Sequence, residues 1–186
     1  VRLDLGMPGF SVPDLRAAVL DLATVADASG RSFQMLIGRD VLDHVVLDAD
    51  LPFGRARLLS PAAYRPARDV RSIPLSGGMP RVEVRIEDAP PMSLLVDTGA
   101  SSHLALSQAA ARQAGLTAPG RRTSQGLSVS LGGLNPEVMA YARTVRLGPL
   151  TLHDVPVQIY SPAATAPSPS GLIGMGLLHP FRVSLN

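Results

Sequence analysis

Residues 94–101 read Leu-Leu-Val-Asp-Thr-Gly-Ala-Ser, and the rest of the sequence is best understood outward from this stretch. The apolar residues predict a short buried strand, and Asp97, Thr98 and Gly99 predict a turn at its end. A carboxylate at such a position is costly to bury unless it is hydrogen-bonded or shares a proton with another acid. Asp97 is therefore the candidate catalytic residue. The alternative is an ordinary turn-forming aspartate, which is common before glycine.

The flanking sequence predicts a mainly β fold with few short helices. Polar and apolar residues alternate through 81–87, as is typical of a half-buried strand. Ser107 as N-cap and Gly115 as terminator predict one helix over 107–114. Further strands are predicted at 93–96, 145–147 and 154–159, a strand pair at 45–51 and 55–59, and a hairpin with one arm at 126–131 and its tip at 132–133.

An internal repeat organises the chain. Residues 35–42 (MLIGRDVL) recur as residues 171–178 (GLIGMGLL), so that Gly38 and Gly174 lie 136 positions apart. Upstream, residues 15–22 align with residues 152–159 at a separation of 137 positions, and a small-residue loop follows each block, at 23–32 and at 161–170. The repeat predicts two related lobes: the rear part of a first lobe at 1–60, a linker at 61–71 and a complete lobe at 72–186.

Composition narrows the possible partners. Apolar residues make up 46% of the chain, which is ordinary for a globular domain, and the absence of cysteine excludes disulfides and thiolate metal sites. The net charge is +2 and the 17 basic residues are scattered, with Arg121-Arg122 as the one adjacent pair, so we expect no nucleic-acid partner. The uncharged stretch around 155–181 is interrupted by prolines, so we expect no membrane span.

The segment around Asp97 resembles the active loop of retropepsin-like aspartic peptidases, the group that contains retroviral proteases and their bacterial relatives. In that family an apolar strand enters Asp-Thr-Gly-Ala-Ser/Asp, a glycine-bearing flap hairpin follows, and an apolar-apolar-Gly strand later passes beneath the active loop into a short helix. The same parts occur here in the same order: residues 94–101, residues 126–133, then 172–174 and 175–178. The resemblance covers 72–186 as one lobe and 1–60 as the rear of another.

The resemblance implies an aspartic endopeptidase that needs neither a metal nor an organic cofactor and acts on a peptide or protein substrate. Asp97 would be catalytic, with Thr98, Gly99, Ala100, Ser101, Leu172, Ile173 and Gly174 as the support of the active loop. We expect the Ser101 hydroxyl to hydrogen-bond to the outer oxygen of the Asp97 carboxylate. The flap would be formed by Gly126, Leu127, Ser128 and Val129. Relatives of this type are often exported, so a periplasmic location is expected from resemblance alone.

Two departures from the family pattern are informative. Many relatives pair an acid two residues after the catalytic Gly with an Arg after the rear Gly. Here Ser101 and Met175 stand at these positions, so both members of the pair are lost together, which need cost little. The first copy keeps Arg39, which predicts an acid in the front half of that lobe.

The second departure is that Asp-Thr-Gly occurs once, although this chemistry needs two carboxyl groups. By the repeat, the second Asp is expected roughly 40 residues before Val1. The other source is a second copy of the chain in a dimer. Two further classes stay open from the sequence: a catalytically silent peptide-binding module with the same fold, and a phosphate loop of the actin and sugar-kinase type.

Overall fold

Strand is the main secondary structure of the chain. The computed structural model describes residues 1–7, 10–130, 133–160 and 170–186. The strands are β1 (Arg2–Met7), β2 (Phe10–Arg16), β3 (Val46–Asp50), β4 (Arg55–Leu59), β5 (Arg81–Ile86), β6 (Met92–Val96), β7 (Leu104–Leu106), β8 (Ser124–Ser130), β9 (Gly133–Leu147), β10 (Leu150–Tyr160), β11 (Gly171–Ile173) and β12 (Arg182–Leu185). The helices are α1 (Ala23–Ser29), α2 (Arg39–Leu42), α3 (Gln108–Gln113) and α4 (Met175–Leu178), with a 3₁₀ turn at Leu51–Phe53. The predicted mainly β fold is confirmed.

The larger sheet contains the hydrophobic core and is closed on itself. Its strands follow the order β10-β7-β11-β6-β5-β9-β8, and β9 also pairs with β10, which closes the ring. In β5 the alternation predicted from the sequence is observed, because Val82, Val84 and Ile86 are buried while the residues between them are exposed. Leu94, Leu104 and other aliphatic side chains fill the interior. Burying them is the main favourable contribution to folding.

Helix α3 packs on this sheet and has the ends that the sequence predicts. The Ser107 hydroxyl accepts a hydrogen bond from the backbone N–H of Ala110 at 3.1 Å, which caps the first turn. Gly115 follows the helix with φ +67°, a left-handed conformation that favours glycine. Ala110 and Ala111 are buried against the core, so this short helix is held mainly by tertiary packing.

A smaller sheet joins the C-terminal strand β12 to the earlier strand pair β3 and β4. Its order is β12-β3-β4, with antiparallel pairing on both sides of β3. Strand β3 and its partner β4 form the strand pair predicted around residues 52–54, whereas the addition of β12 was not predicted. The C-terminal strand of the region 72–186 therefore completes a sheet that begins within the region 1–60.

Asp48 is the polar centre of the smaller sheet. Its side chain is 3% exposed and accepts hydrogen bonds from Arg57 on β4 and from Arg182 on β12. The Ser184 hydroxyl adds a further hydrogen bond at 3.2 Å. A buried carboxylate is stable only when it is paired and hydrogen-bonded in this way. Asp48 thus ties β4 and β12 to the strand between them.

The first 45 residues differ in one respect from the sequence-based expectation. The small-residue loop predicted at 23–32 is wrong, because residues 23–29 form helix α1, which ends at Gly30 with φ +64°. Its alanines favour helix, and the loop prediction gave too little weight to that propensity. The matching loop predicted at 161–170 lies outside the described residues apart from Ser170. Residues 61–75 contain neither helix nor strand, and the linker at 61–71 stays a prediction. None of the helices in the described ranges is long and apolar enough to cross a bilayer.

We expect Asp48→Asn to lower the free energy of unfolding by about 2 kcal/mol, because charge-assisted hydrogen bonds to two arginines and a serine would be weakened. Chemical denaturation followed by far-UV circular dichroism measures this change. The matched control is Asp88→Asn, which removes an exposed carboxylate and should leave stability within about 0.5 kcal/mol of the parent. Equal effects of the two substitutions would contradict the role assigned to Asp48.

We also expect folding stability to fall as the pH drops below about 4, the usual pKa of an aspartate in an unfolded chain. The hydrogen bond from Arg182, helped by Arg57 and Ser184 and opposed by burial, holds the pKa of Asp48 well below its usual range. A carboxyl with a depressed folded pKa contributes stability above its unfolded pKa and loses it as the pH falls toward the folded pKa. Unfolding curves at about pH 3 and about pH 7 measure the loss. Asp48→Asn should remove part of this pH dependence; Glu87, whose pKa is also lowered, should retain another part.

Candidate active site

Strand β6 carries Asp97 to a half-buried position directly after its last residue, Val96. The backbone N–H of Asp97 donates to the carbonyl oxygen of Ile173 on β11 at 2.9 Å. Asp97 is therefore not remote from the rear strand, because its backbone is hydrogen-bonded to that strand.

The carboxylate of Asp97 is oriented by its own turn. The N–H of Gly99 donates to the Asp97 Oδ1 atom at 2.8 Å, and the N–H of Ala100 approaches the Asp97 carbonyl oxygen at 3.3 Å. Ser101 was expected to hydrogen-bond to the outer carboxylate oxygen, but within the described residues no such bond is formed. One backbone N–H thus holds one carboxylate oxygen, and Oδ2 accepts no hydrogen bond from the described residues.

Strand β11 runs through the site between β6 and β7. It is parallel to β6, with Leu172 opposite Leu95, and antiparallel to β7, with Leu172 also opposite Ala105. The apolar-apolar-Gly block and the Asp-Thr-Gly loop, which are far apart in sequence, are therefore immediate neighbours. This arrangement is set by hydrogen bonds between β6 and β11, which are parallel and separated by a long stretch of chain.

Beyond β11 the chain wraps around the far side of the active loop. The N–H of Met175 donates to the carbonyl oxygen of Ala100 at 2.7 Å, and the N–H of Gly176 donates to that of Ser102 at 3.0 Å. Gly174 completes the contact by donating to the carbonyl oxygen of His103 at 3.2 Å. Three successive backbone donors thus hold the segment 100–103, so the loop after Asp97 is fixed from both sides.

Glycines make this close approach of two backbones possible. A Cβ atom on Gly174 would lie 2.3 Å from the carbonyl oxygen of Ser102 and 2.7 Å from that of Ala100. Gly171 has φ +143°, and a Cβ atom there would lie 2.2 Å from the carbonyl oxygen of Ala105. The sequence-based interpretation included Gly174 in the site but missed Gly171. The sequence contained a signal for this close approach, because Gly171, Gly174 and Gly176 follow one another at short spacing around two apolar residues.

The residues expected to form a flap lie in β8, which pairs with β9 as an antiparallel hairpin. Gly126 lies against Glu137, and Leu127 is 69% exposed. Of the predicted tip at 132–133, Gly133 begins β9, whereas residues 131–132 are outside the described residues. The hairpin itself is confirmed, whereas its role as a substrate-covering flap stays a prediction. No group of three or more His, Asp or Glu side chains is placed to hold a metal ion within the described ranges.

The closed sheet and the Asp97 loop seated on a rear Leu-Ile-Gly strand define the class of protein, a retropepsin-like aspartic peptidase. A family profile described as aspartyl protease matches residues 82–177, just over half of the chain. The chain belongs to this aspartyl protease family, which is of the retropepsin-like type. No curated protein matches the chain. The matched range contains both Asp97 and Gly174, so the phosphate-loop interpretation is no longer needed.

We expect Gly174→Ala to destabilise the protein by more than about 3 kcal/mol, because the added methyl group would collide with two backbone oxygens that cannot move independently. Thermal unfolding measures the loss, and amide chemical shifts of residues 97–103 report whether the loop is displaced. The matched control is Gly78→Ala, since a Cβ atom at Gly78 meets nothing within 4 Å. If Gly174→Ala were as stable as this control, the two backbones would not be in the contact described.

Proposed function

We propose that the protein is an aspartic endopeptidase in which Asp97 supplies one carboxyl of a two-carboxyl site. The observation that carries the proposal is the position of Asp97, half-buried at the end of β6 and bonded to Ile173 through its backbone. Membership of the aspartyl protease family supports peptidase activity in general. The pairing with a second carboxyl, and the source of that group, are the finer parts of the proposal.

The proposed chemistry follows from placing two carboxyl groups in contact. Both cannot be ionised at such a short separation, so one holds a proton at neutral or mildly acidic pH. The ionised member takes a proton from water as the water oxygen attacks the scissile carbonyl, and the protonated member donates to the developing oxyanion. Gly99 N–H, bonded to Asp97 Oδ1, keeps the carboxylate in one orientation, and Oδ2 is the atom that would face the partner and the substrate.

A second lobe within the same protein is the source we favour for the other carboxyl. Helices α2 and α4 are both four residues long and begin after Gly38 and Gly174. These glycines have nearly the same backbone conformation, with φ −93° and ψ −174° at Gly38 and φ −105° and ψ −178° at Gly174. Equal local geometry at positions 136 residues apart supports the interpretation of residues 1–60 as the rear of a related lobe.

The pairing of β3 with β12 adds an independent argument. At the same separation of 136 positions, Ser184 is the counterpart of Asp48, and these two residues lie directly opposite each other across the antiparallel pair. Two equivalent strands that pair antiparallel at equivalent residues are related by a local twofold axis between them. This is the relation expected of two lobes that face each other and contribute one carboxyl each.

The upstream block of the repeat, residues 15–22 against residues 152–159, is better aligned by backbone conformation than by sequence. Asp14 in β2 and Asp154 in β10 are two of the three non-glycine residues with positive φ in the described ranges, at 57° and 52°. They lie 140 positions apart, whereas the sequence alignment used 137. Each of the two residues interrupts the extended conformation of its strand with a positive φ. We therefore take Asp14 and Asp154 as equivalent positions of the repeat.

The local twofold axis favours an upstream source over a homodimer. Residues 1–60 of the same chain already contact the lobe that contains Asp97, through the pairing of β3 with β12. A second copy would have to displace that segment to bring its own Asp97 opposite. We therefore place the second Asp in sequence that precedes Val1 by roughly 40 residues, in the front half of the first lobe.

The substrate would be an extended peptide bound along the hairpin. Strand β8 is at the end of the larger sheet, and extended peptides bind to sheet edges by backbone pairing. Leu127 and Val129 are exposed apolar side chains on this strand. They would contact apolar substrate side chains and help to exclude water from the carboxyl pair.

We expect Asp97→Asn to lower peptide cleavage by at least about a hundredfold in the natural protein, because the proton acceptor is lost. Cleavage of a peptide library, read by mass spectrometry, measures activity, and circular dichroism shows whether the fold is kept. Asp88→Asn, an exposed acid outside the site, should cleave at the parental rate. Full activity in a folded Asp97→Asn variant would refute the assignment.

The upstream sequence decides between the three possibilities that remain. An Asp-Thr-Gly motif roughly 40 residues before Val1 supports the two-lobe peptidase. Its absence together with activity that appears only in a dimer, measured by sedimentation, supports Asp97 from two copies. Its absence together with peptide binding but no cleavage supports the silent binding module.

A further inference from the structure

A cavity of about 660 Å³ lies at the base of the β8–β9 hairpin. Its walls come from residues 120–124, which lead into β8, and from the outer side of β9, where Met139, Tyr141 and Arg143 lie on one face. The even-numbered neighbours Ala140 and Ala142 are buried in the core, so the cavity is on the opposite, solvent side of this strand. We call it the basic pocket. It contains neither Asp97 nor any residue of the active loop.

One wall of the basic pocket is fixed by an ion pair. Arg121 is half-buried, at 18% side-chain exposure, and donates to Glu87 Oε1 at 2.8 Å and to the carbonyl oxygen of Tyr141 at 2.6 Å. Burial opposes the ionisation of Glu87, but hydrogen bonds from the Arg143 backbone N–H and from Arg121 outweigh it and lower the pKa of that carboxyl. Glu87 therefore stays charged, and the side chain of Arg121 ties the segment 120–124 to β9.

The charge inside the pocket is not balanced. Three arginines, Arg121, Arg122 and Arg143, line it, and no Asp or Glu is among its lining residues. Glu87 forms an ion pair with Arg121, and its charge also interacts with that of Arg143. In the described part of the chain, the guanidinium groups of Arg122 and Arg143 form neither a hydrogen bond nor an ion pair with any residue. Two arginines without an ion-pair partner in the described residues thus line one concave site.

We propose that the basic pocket binds an oxyanion group, a carboxylate or a phosphate, carried by a small ligand. Arg122 and Arg143 would hold the anion from two sides, because a guanidinium offers several donors in a geometry that suits both groups. Tyr141 is 58% exposed and lines the pocket, so its ring gives the body of such a ligand an apolar surface. This site is separate from peptide cleavage and does not depend on the proposed function.

Occupancy of the basic pocket would connect the two arms of the hairpin at their base. Arg122 precedes β8 by two positions, whereas Arg143 is in β9, and Arg121 already joins the segment 120–123 to β9 through its hydrogen bond to the carbonyl oxygen of Tyr141. An anion bound between Arg122 and Arg143 adds a further connection at the base of the hairpin. Bound ligand is therefore expected to reduce local opening of the hairpin.

Tyrosine fluorescence and backbone amide shifts test the proposal in an Asp97→Asn background, where peptidase activity plays no part. The chain has three tyrosines and no tryptophan, so Tyr141 contributes directly to the signal. Inorganic phosphate and citrate are titrated separately at constant ionic strength. We expect saturable changes at Tyr141 and at residues 120–124, with a dissociation constant on the order of 1 mM. A response to one titrant alone identifies which oxyanion the pocket takes.

Substitutions separate a built site from a general surface charge. Arg122→Gln and Arg143→Gln should each weaken binding at least about tenfold, which corresponds to ~1.4 kcal/mol. Arg146→Gln is the matched control, because Arg146 is another exposed arginine on β9 that does not line the pocket. Thermal unfolding without ligand shows whether each variant is folded. No saturable change with either titrant, or an equal loss in Arg146→Gln, would overturn the proposal.

Discussion

The insertion of β11 between β6 and β7 is the constraint on which the rest of the structure depends. This three-residue strand supplies the bond that fixes the backbone of Asp97 and a link in the closed sheet, and the residues directly after it, 174–176, supply the donors that hold residues 100–103. The insertion is possible because Gly171 and Gly174 let two backbones approach more closely than any side chain would allow. The conformation of the active loop is thus fixed by close packing of one backbone segment against another.

The two regions of the chain are joined by a different kind of contact. Strand β12 reaches β3 through ordinary sheet pairing, but the buried centre of that sheet is the charge of Asp48. A buried carboxylate with arginines on both sides contributes specificity as well as stability, since any shift in register would leave the charge without partners. The same pairing brings Ser184 opposite its counterpart in the repeat, and the two-lobe proposal depends on that register.

Much of the fold could be predicted because local patterns and the final structure agree. The alternation in β5, the Ser107 cap of α3 and the strand pair β3–β4 each follow from side-chain periodicity or turn chemistry within a few residues. The loop predicted over 23–32 was wrong because composition was given more weight than helical propensity. The hydrogen bond expected from Ser101 to the outer oxygen of Asp97 is not formed within the described residues, whereas the Gly99 N–H, which the turn holds in place, bonds to Oδ1.

The sequence by itself determined the family resemblance, the identity of Asp97 as candidate catalytic residue and the need for a second carboxyl, because these depend on residue types at short spacing. Tertiary structure alone decided that β12 pairs with β3, that Asp48 is buried between two arginines and that Arg122 and Arg143 line one pocket. Each of these joins residues far apart in the chain. Their proximity is set by sheet closure and strand register, which no local sequence pattern encodes.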